Sequence, residues 1–254
     1  MYRFAIYGKG GIGKSTTTTA LSCAFAQMGY KVFQIGCDPK ADSTLYLHEG
    51  KRIEPILEIL RKKKDYAELD ELVHTGVLGI EYAECGGPKP GLGCAGRGIG
   101  AAFEALEDRS AFEILQPDIV LYDVLGDVVC GGFALPIREG YADQVYIVSS
   151  GENMSIYAAA NIAMAVESFQ DRGYATLGGV ILNRRNVQDE KEKIESLCHD
   201  FSTSIAADLP RDNHIAMAEQ EGCAVMERYP DCDYAIQIEK LAHYMLAHGV
   251  NFNE

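Results

Sequence analysis

Residues 8–15 read GKGGIGKS, which satisfies every fixed position of the phosphate-binding pattern Gly-x-x-x-x-Gly-Lys-Ser/Thr. Gly8, Gly10, Gly11 and Gly13 let the backbone turn and aim its N–H groups at phosphate oxygens, at the positive end of a helix. Lys14 would reach the β- and γ-phosphates and the Ser15 hydroxyl would hold Mg²⁺, with Ile12 and Thr16 completing the loop. Two acidic turns have the matching chemistry. Asp38, Lys40 and Asp42 follow a short apolar run, and Asp123 ends another, with Gly126 three residues on. A carboxylate in the place of Asp123 can hold Mg²⁺ through water, and a following Gly N–H can sense the γ-phosphate. Asp38 could orient or deprotonate an attacking water, and Asp42 could help hold the metal. Aspartates at strand ends also cap turns and helices, so these carboxylates have a bland reading beside the functional one.

The eight cysteines contain no Cys-x-x-Cys, so spacing gives no support to a four-cysteine cluster within one chain. Cys23 and Cys198 lie in helical patterns and read as small core residues. Cys94 (GLGCAG) and Cys130 (VVCGG) differ, because both lie in glycine-rich turns. Such turns expose N–H groups to sulfur and admit a bulky inorganic cluster. Two ligands per chain suffice only if two chains share one cluster, and on spacing alone a buried thiol accounts for each cysteine equally well.

These groups need a scaffold that brings strand ends together. YRFAIY (2–7) suits a buried strand, and STTTTALSCAFAQMG a helix after the loop. Further strands are predicted at 31–37, 77–84, 118–124, 143–150, 177–185 and near 203–208. Helices are predicted at 53–62, with Ile53, Ile56, Leu57 and Leu60 on one face, at 101–108, and near 153–170, 188–198, 212–221 and 233–247. Alternation of this kind predicts an α/β fold: one P-loop domain over residues 1–254, its mostly parallel sheet flanked by helices and its ligand crevice at the strand C-terminal ends.

Composition narrows the partners. With 23 Lys+Arg against 37 Asp+Glu the net charge is −14, which disfavours nucleic acid and anionic lipid and favours a protein or small-molecule partner. No apolar run is long enough for a membrane span and the N-terminus is no secretory signal, so a cytoplasmic protein is expected.

The segments GKGGIGKSTTT, GCDPKADST, GGPKPGLGCAGRGIG, YDVLGDVVCGGFALPIRE and LPRDN, in that order, closely resemble the nitrogenase iron protein family. The cysteine loops are far more specific than the phosphate loop, which many unrelated nucleotide-binding proteins share. The resemblance implies a homodimer with one [4Fe-4S] cluster at the subunit interface, held by Cys94 and Cys130 of each chain. It further implies that Lys9 reaches nucleotide across the dimer, that Asp38 serves water activation, and that Asp42 and Asp127 belong to switch regions. Asn183 and Pro210-Arg211-Asp212 match an adenine-side pocket. Arg97 matches an arginine that docks the redox partner and that is ADP-ribosylated in some relatives; a solvated surface charge is its bland reading.

Three departures stand out. Cys85 replaces a usual serine and reads as a non-ligand thiol near the cluster. Ala216 stands where relatives often carry glutamine, and the chain stops at Glu254, before the longer C-terminal segment common in the family. The expected function is ATP-dependent electron transfer from a ferredoxin or flavodoxin, through the cluster, to a separate nitrogenase or nitrogenase-like catalytic protein. A tetrapyrrole-reducing system, acting on protochlorophyllide or in nickel-tetrapyrrole maturation, is the alternative within the class. Outside it stand a partitioning-type P-loop ATPase, which would want a basic surface or a basic amphipathic tail, and an iron–sulfur scaffold ATPase, which would want a Cys-x-x-Cys.

Overall fold

A computed structural model describes residues 1–87, 95–126, 134–138, 140–170 and 174–250. The strands are β1 (Tyr2–Gly8), β2 (Val32–Gly36), β3 (His74–Thr75), β4 (Glu81–Glu84), β5 (Ile119–Leu125), β6 (Gln144–Ser149), β7 (Thr176–Asn183) and β8 (Ile205–Leu209). They form one sheet in the order β3-β4-β2-β5-β1-β6-β7-β8. Every pairing is parallel except β3 with β4. The helices are α1 (Lys14–Gln27), α2 (Ile56–Lys63), α3 (Leu69–Leu72), α4 (Ala95–Asp108), α5 (Ala111–Leu115), α6 (Leu135–Arg138), α7 (Asn153–Gln170), α8 (Glu190–Asp200), α9 (Asn213–Gln220), α10 (Val225–Arg228) and α11 (Asp233–His248).

Successive strand side chains point to opposite faces, so the sheet carries a core on each side. On β1, Phe4 and Ile6 join Leu21 and Phe25 of α1 and Ile238 and Leu241 of α11. Ala5 and Tyr7 belong to the other core, with Phe103 of α4, Ile162 and Val166 of α7 and Ile194 of α8. Both faces being covered explains why the strand sequences are continuously apolar rather than alternating. Cys23 and Cys198 are buried in these cores.

Register sets the level of the functional residues. Gly8 lies opposite Leu125 and Val148, and Gly36 lies opposite both Asp123 and Glu84. The C-terminal ends of β1, β2, β4 and β5 therefore meet at one edge, beside the loop that leads into α1.

Three predicted elements are displaced. The helix expected over 101–108 already begins at Ala95, so the glycine-rich residues 95–100 are helical. The helix expected over 53–62 begins at Ile56, because Pro55 is extended and disfavours the helical region for Glu54. Ile56, Leu57 and Ile59 are its buried residues, while Leu60 is half-buried and Ile53 lies outside the helix. The strand expected over 77–84 is confined to Glu81–Glu84. Val77–Gly79 instead form a 3₁₀ turn, with Leu78 and Gly79 at positive φ (56° and 73°). Among the described residues no helix is long and apolar enough to cross a membrane.

Candidate functional site: a phosphate loop facing a wall of remote residues

The loop between β1 and α1 is held from below. Gly126 N–H donates to the Gly8 carbonyl at 3.0 Å. A Cβ on Gly126 would fall 2.7 Å from that carbonyl oxygen, so the close approach requires glycine. Gly13, at φ 94°, caps α1 with no side-chain hydrogen bond, leaving first-turn N–H groups for an anion. The Asn183 amide reaches across from β7 and donates to the Ile12 carbonyl at 2.7 Å. A Cβ at Gly13 would lie 2.4 Å from the same amide nitrogen.

Lys14 is buried and its Nζ donates to Asp123 Oδ1, with Ser15 Oγ at 3.4 Å. Burial pulls the Lys14 ammonium down, but the charge and hydrogen bond of Asp123, with a smaller pull from Asp38, leave it above its ordinary value. Lys14 is thus a firm cation at the base of the loop. Asp123 Oδ2 is buried with no hydrogen-bond partner among the described residues. Such an orphaned oxygen suits a magnesium-bound water, so the residues present fit the phosphates and metal of a nucleoside triphosphate.

The segment after β2 lies alongside. Cys37 N–H donates to the Asp123 carbonyl at 2.9 Å. Asp38 is buried, and its Oδ1 accepts the Lys40 N–H at 3.0 Å. Gln34 stitches this segment to α1: its Oε1 accepts from Ser22 Oγ at 2.7 Å, and its Nε2 donates to Ser43 Oγ at 3.0 Å. Glu84, at the end of β4, accepts from both the Thr44 N–H (2.7 Å) and hydroxyl (2.8 Å). Burial pushes the Glu84 carboxyl up to about 8 against the opposing Thr44 hydrogen bonds. Cys85 continues β4 into the core and donates its N–H to Gly36 at 2.8 Å. Burial also raises the neighbouring Cys37 thiol well above its ordinary value, so this thiol is inert rather than nucleophilic.

A cavity of about 530 Å³ opens above the loop, a volume suited to a nucleotide. Lys9, Gly10, Gly11, Gly13, Lys14, Ser15 and Thr16 line one end, and Asp38, Lys40 and Asp42 one side. Asn183, Pro210, Arg211 and Asp212 line the remaining wall, so the predicted adenine-side residues share the cavity with the loop. Gly8, Ile12, Asp123 and Gly126 lie beneath or beside it rather than on its surface. Ala216, the departure noted above, lines the same wall.

Further lining residues escaped the reading from sequence. Arg184 makes two 2.6 Å bonds to the Asp208 carboxylate, and Arg185 Nη2 donates to the Gly11 carbonyl at 2.6 Å. Both directly follow Asn183, so the Asn-Arg-Arg run was a usable signal. Tyr46 follows the 38–42 turn, whereas Glu219 and Tyr234 come from distant segments and carry no local signal. Glu219 Oε1 accepts the Thr16 hydroxyl at 3.3 Å, and the Tyr234 hydroxyl pairs with Thr17 Oγ1 at 3.1 Å.

The cluster residues Cys94 and Cys130 and the switch residue Asp127 lie outside the described residues. Arg97 lies in the first turn of α4. The described residues end at Gly87 before Cys94 and at Gly126 before Cys130.

Comparison with known proteins gives two separate results. Among solved structures, the chain superposes on the septum site-determining protein MinD complexed with Mg-ADP from Pyrococcus horikoshii with a TM-score of 0.74 at 21% identity, covering 97% of this chain and 98% of the other. A ParA family ATPase from Chlorobium tepidum gives 0.72 at 18% identity, covering 95% and 98%. These likenesses establish the P-loop ATPase fold alone. Sequence similarity is closer. A protein named nitrogenase iron protein from Methanospirillum hungatei is 46% identical over 249 residues, 97% of this chain and 88% of the relative. Its namesake from Methanococcus voltae is 43% identical over 244 residues, 96% and 87%. The family model described as 4Fe-4S iron sulfur cluster binding proteins, NifH/frxC family, matches residues 2–250, and the chain belongs to that family.

Proposed function

We propose that the chain is the ATP-hydrolysing reductase of a nitrogenase-type system, delivering low-potential electrons to a separate catalytic protein. The observation that carries this reading is the Gly126–Gly8 hydrogen bond, since the segment that begins at Gly126 runs to Cys130 within four residues. A change at the phosphate loop is thereby felt at the root of a cluster-ligand loop, the arrangement of an order-or-shift switch. The names of the similar proteins favour nitrogenase chemistry over a tetrapyrrole reductase.

Bound MgATP supplies a phosphoanhydride to hydrolyse, and the [4Fe-4S] cluster supplies one-electron transfer. The chain's own residues do the rest. The loop N–H groups, other than that of Ile12, which is bonded to the Lys9 carbonyl, and the Lys14 ammonium bind phosphate oxygens, Lys14 turning away from Asp123 to do so. Ser15 and the freed Asp123 carboxylate orient the magnesium, with Asp42 near it. Asp38 orients the attacking water, and Lys9 stabilises charge on the nucleotide of the partner subunit. Asn183 and the 210–212 segment hold the base. Cys94 and Cys130 from two chains of a homodimer hold one cluster, Asp127 transmits the switch, and Arg97 meets the catalytic protein. Residues 1–254 act as one domain in the cytoplasm, with a ferredoxin or flavodoxin as donor.

Chelation kinetics test the switch. In the reduced, anaerobic protein an iron chelator should remove cluster iron faster with MgATP than with MgADP or no nucleotide. Asp127→Ala should blunt the difference while leaving about two iron atoms per chain, as expected for one shared cluster. Equal rates in all three conditions would remove the coupling between site and cluster. Unchanged iron in Cys94→Ser or Cys130→Ser would refute the ligand assignment.

A further inference from the structure

We propose that Asp212, His214 and Cys232 form a zinc site on the back of the cavity wall, clamping α9 to α11. One ligand atom from each residue lies within 4.8 Å of the others. The three come from the starts of two helices: Asp212 caps α9, His214 is in its first turn, and Cys232 caps α11.

The backbone bonds in this corner leave ligand capacity spare. Asp212 Oδ1 accepts the His214 N–H at 2.9 Å, and Oδ2 accepts the Tyr234 N–H at 3.3 Å. Cys232 Sγ accepts the Ala235 N–H at 3.5 Å. Each of these atoms keeps a lone pair, so a metal would replace the 2.7 Å contact between His214 Nδ1 and Asp212 Oδ1 and the hydrogen bond that the Cys232 thiol gives the Asp212 carboxylate, with release of the thiol proton. Capping alone does not explain the set. Cysteine is not among the residues favoured at helix N-caps, and capping α9 requires no imidazole beside the carboxylate.

The donor set selects the ion. Thiolate and imidazole suit zinc and disfavour magnesium or calcium, which want oxygen. Zinc with one thiolate, one carboxylate and one neutral imidazole is uncharged in sum, so the site does not leave a net charge at two helix ends. Tetrahedral zinc places such ligands about 3.3–3.7 Å apart, and here they lie within 4.8 Å of one another. His214 is exposed and Cys232 buried, giving the ion an entry side and an anchored side. Asp212 also lines the nucleotide cavity, whereas His214 and Cys232 do not. The ion would therefore sit behind the wall, away from Ser15 and the phosphates, with a water in its fourth position.

The test uses the anaerobic, cluster-containing protein equilibrated with micromolar zinc chloride and then gel-filtered. One zinc per chain should remain, its K-edge absorption showing one sulfur and otherwise nitrogen or oxygen, while the iron content is unchanged. Cys232→Ser retains a good helix cap, and His214→Gln retains a hydrogen-bonding side chain. Each should nevertheless weaken zinc binding by about tenfold or more while the cluster and the unfolding midpoint without zinc stay as in the parent. Zinc should raise that midpoint in the parent and not in the variants. Failure of the parent to retain zinc overturns the site. So does zinc that persists in Cys232→Ser, that shows more than one sulfur, or that displaces iron, since each locates it at other thiols.

Discussion

The phosphate end of the cavity and the wall facing it are built on different principles. The phosphate end is consecutive chain: residues 8–16 supply it largely from backbone N–H groups and one lysine, with Gly11 and Gly13 at the positive φ that favours glycine. The wall is side chains from four remote places, after β2, after β7, after β8 and at the start of α11. Ties between the two ends are few and specific: Asn183 to Ile12, Arg185 to Gly11, and Glu219 to Thr16. A local loop can be strict about one chemical group, phosphate. A composite wall can take a substitution without disturbing the loop, as Ala216 illustrates for this chain.

The largest effect should come from the loop. Lys14→Gln should lower MgATP hydrolysis by about 10²-fold or more, as for loss of a preorganised charge at a transition state. Phosphate release assays measure this, and iron content should be unaffected. Normal hydrolysis in that variant would break the assignment of the phosphate end.

Gly13→Ala should destabilise the protein by about 1–2 kcal/mol, because alanine at positive φ is strained, and should weaken nucleotide binding. Adding Asn183→Ala removes the amide that the new Cβ would strike. Denaturant unfolding of the single and double variants should show the second change recovering part of the loss. Simple additivity would mean that loop and wall do not meet there.

A third prediction concerns the joint between the β2 segment and β4. Folding raises the Glu84 carboxyl from 4.5 to about 8, so the folded state holds this proton more tightly than the unfolded chain. The stabilisation is complete below pH 4.5 and is lost as pH rises towards 8. Glu84→Gln should therefore flatten the fall in unfolding free energy between pH 5 and 8. Parallel curves for parent and variant would assign the slope to other groups.

The smallest effect should be at Arg184. Its pair with Asp208 is over a third exposed at the arginine, so Arg184→Ala should cost no more than about 1 kcal/mol of stability. A larger loss confined to nucleotide affinity would show that this arginine acts on the ligand rather than on Asp208.

The two ends also differ in how far they could be read before folding. The loop, the acidic turn at 38–42 and the strand ending at Asp123 were visible because each is a contiguous pattern with its own punctuation. Asn183 and the 210–212 segment came only through family resemblance. Tyr46 was not visible, although it lies four residues past Asp42, because its residue type marks no phosphate chemistry; Glu219 and Tyr234 were not visible at all, since nothing near them in the chain refers to a phosphate loop far away. The displaced starts at Ile56 and Glu81 have local causes, Pro55 and the turn at Leu78–Gly79, where backbone preference outweighed an apolar pattern.

Sequence by itself determined the phosphate loop, the α/β alternation and the two glycine-embedded cysteines, because short-range sterics and apolar periodicity act on neighbouring residues. Tertiary structure alone decided which strands stand side by side. That order lays Asp123 under Lys14, ties Gly126 to Gly8, and sets the starts of α9 and α11 together so that Asp212, His214 and Cys232 converge. Those contacts join residues a hundred or more positions apart in the first two cases, and about twenty in the last. Only the packing of both sheet faces, which excludes water from the strands and fixes their register, can bring such residues within hydrogen-bonding reach.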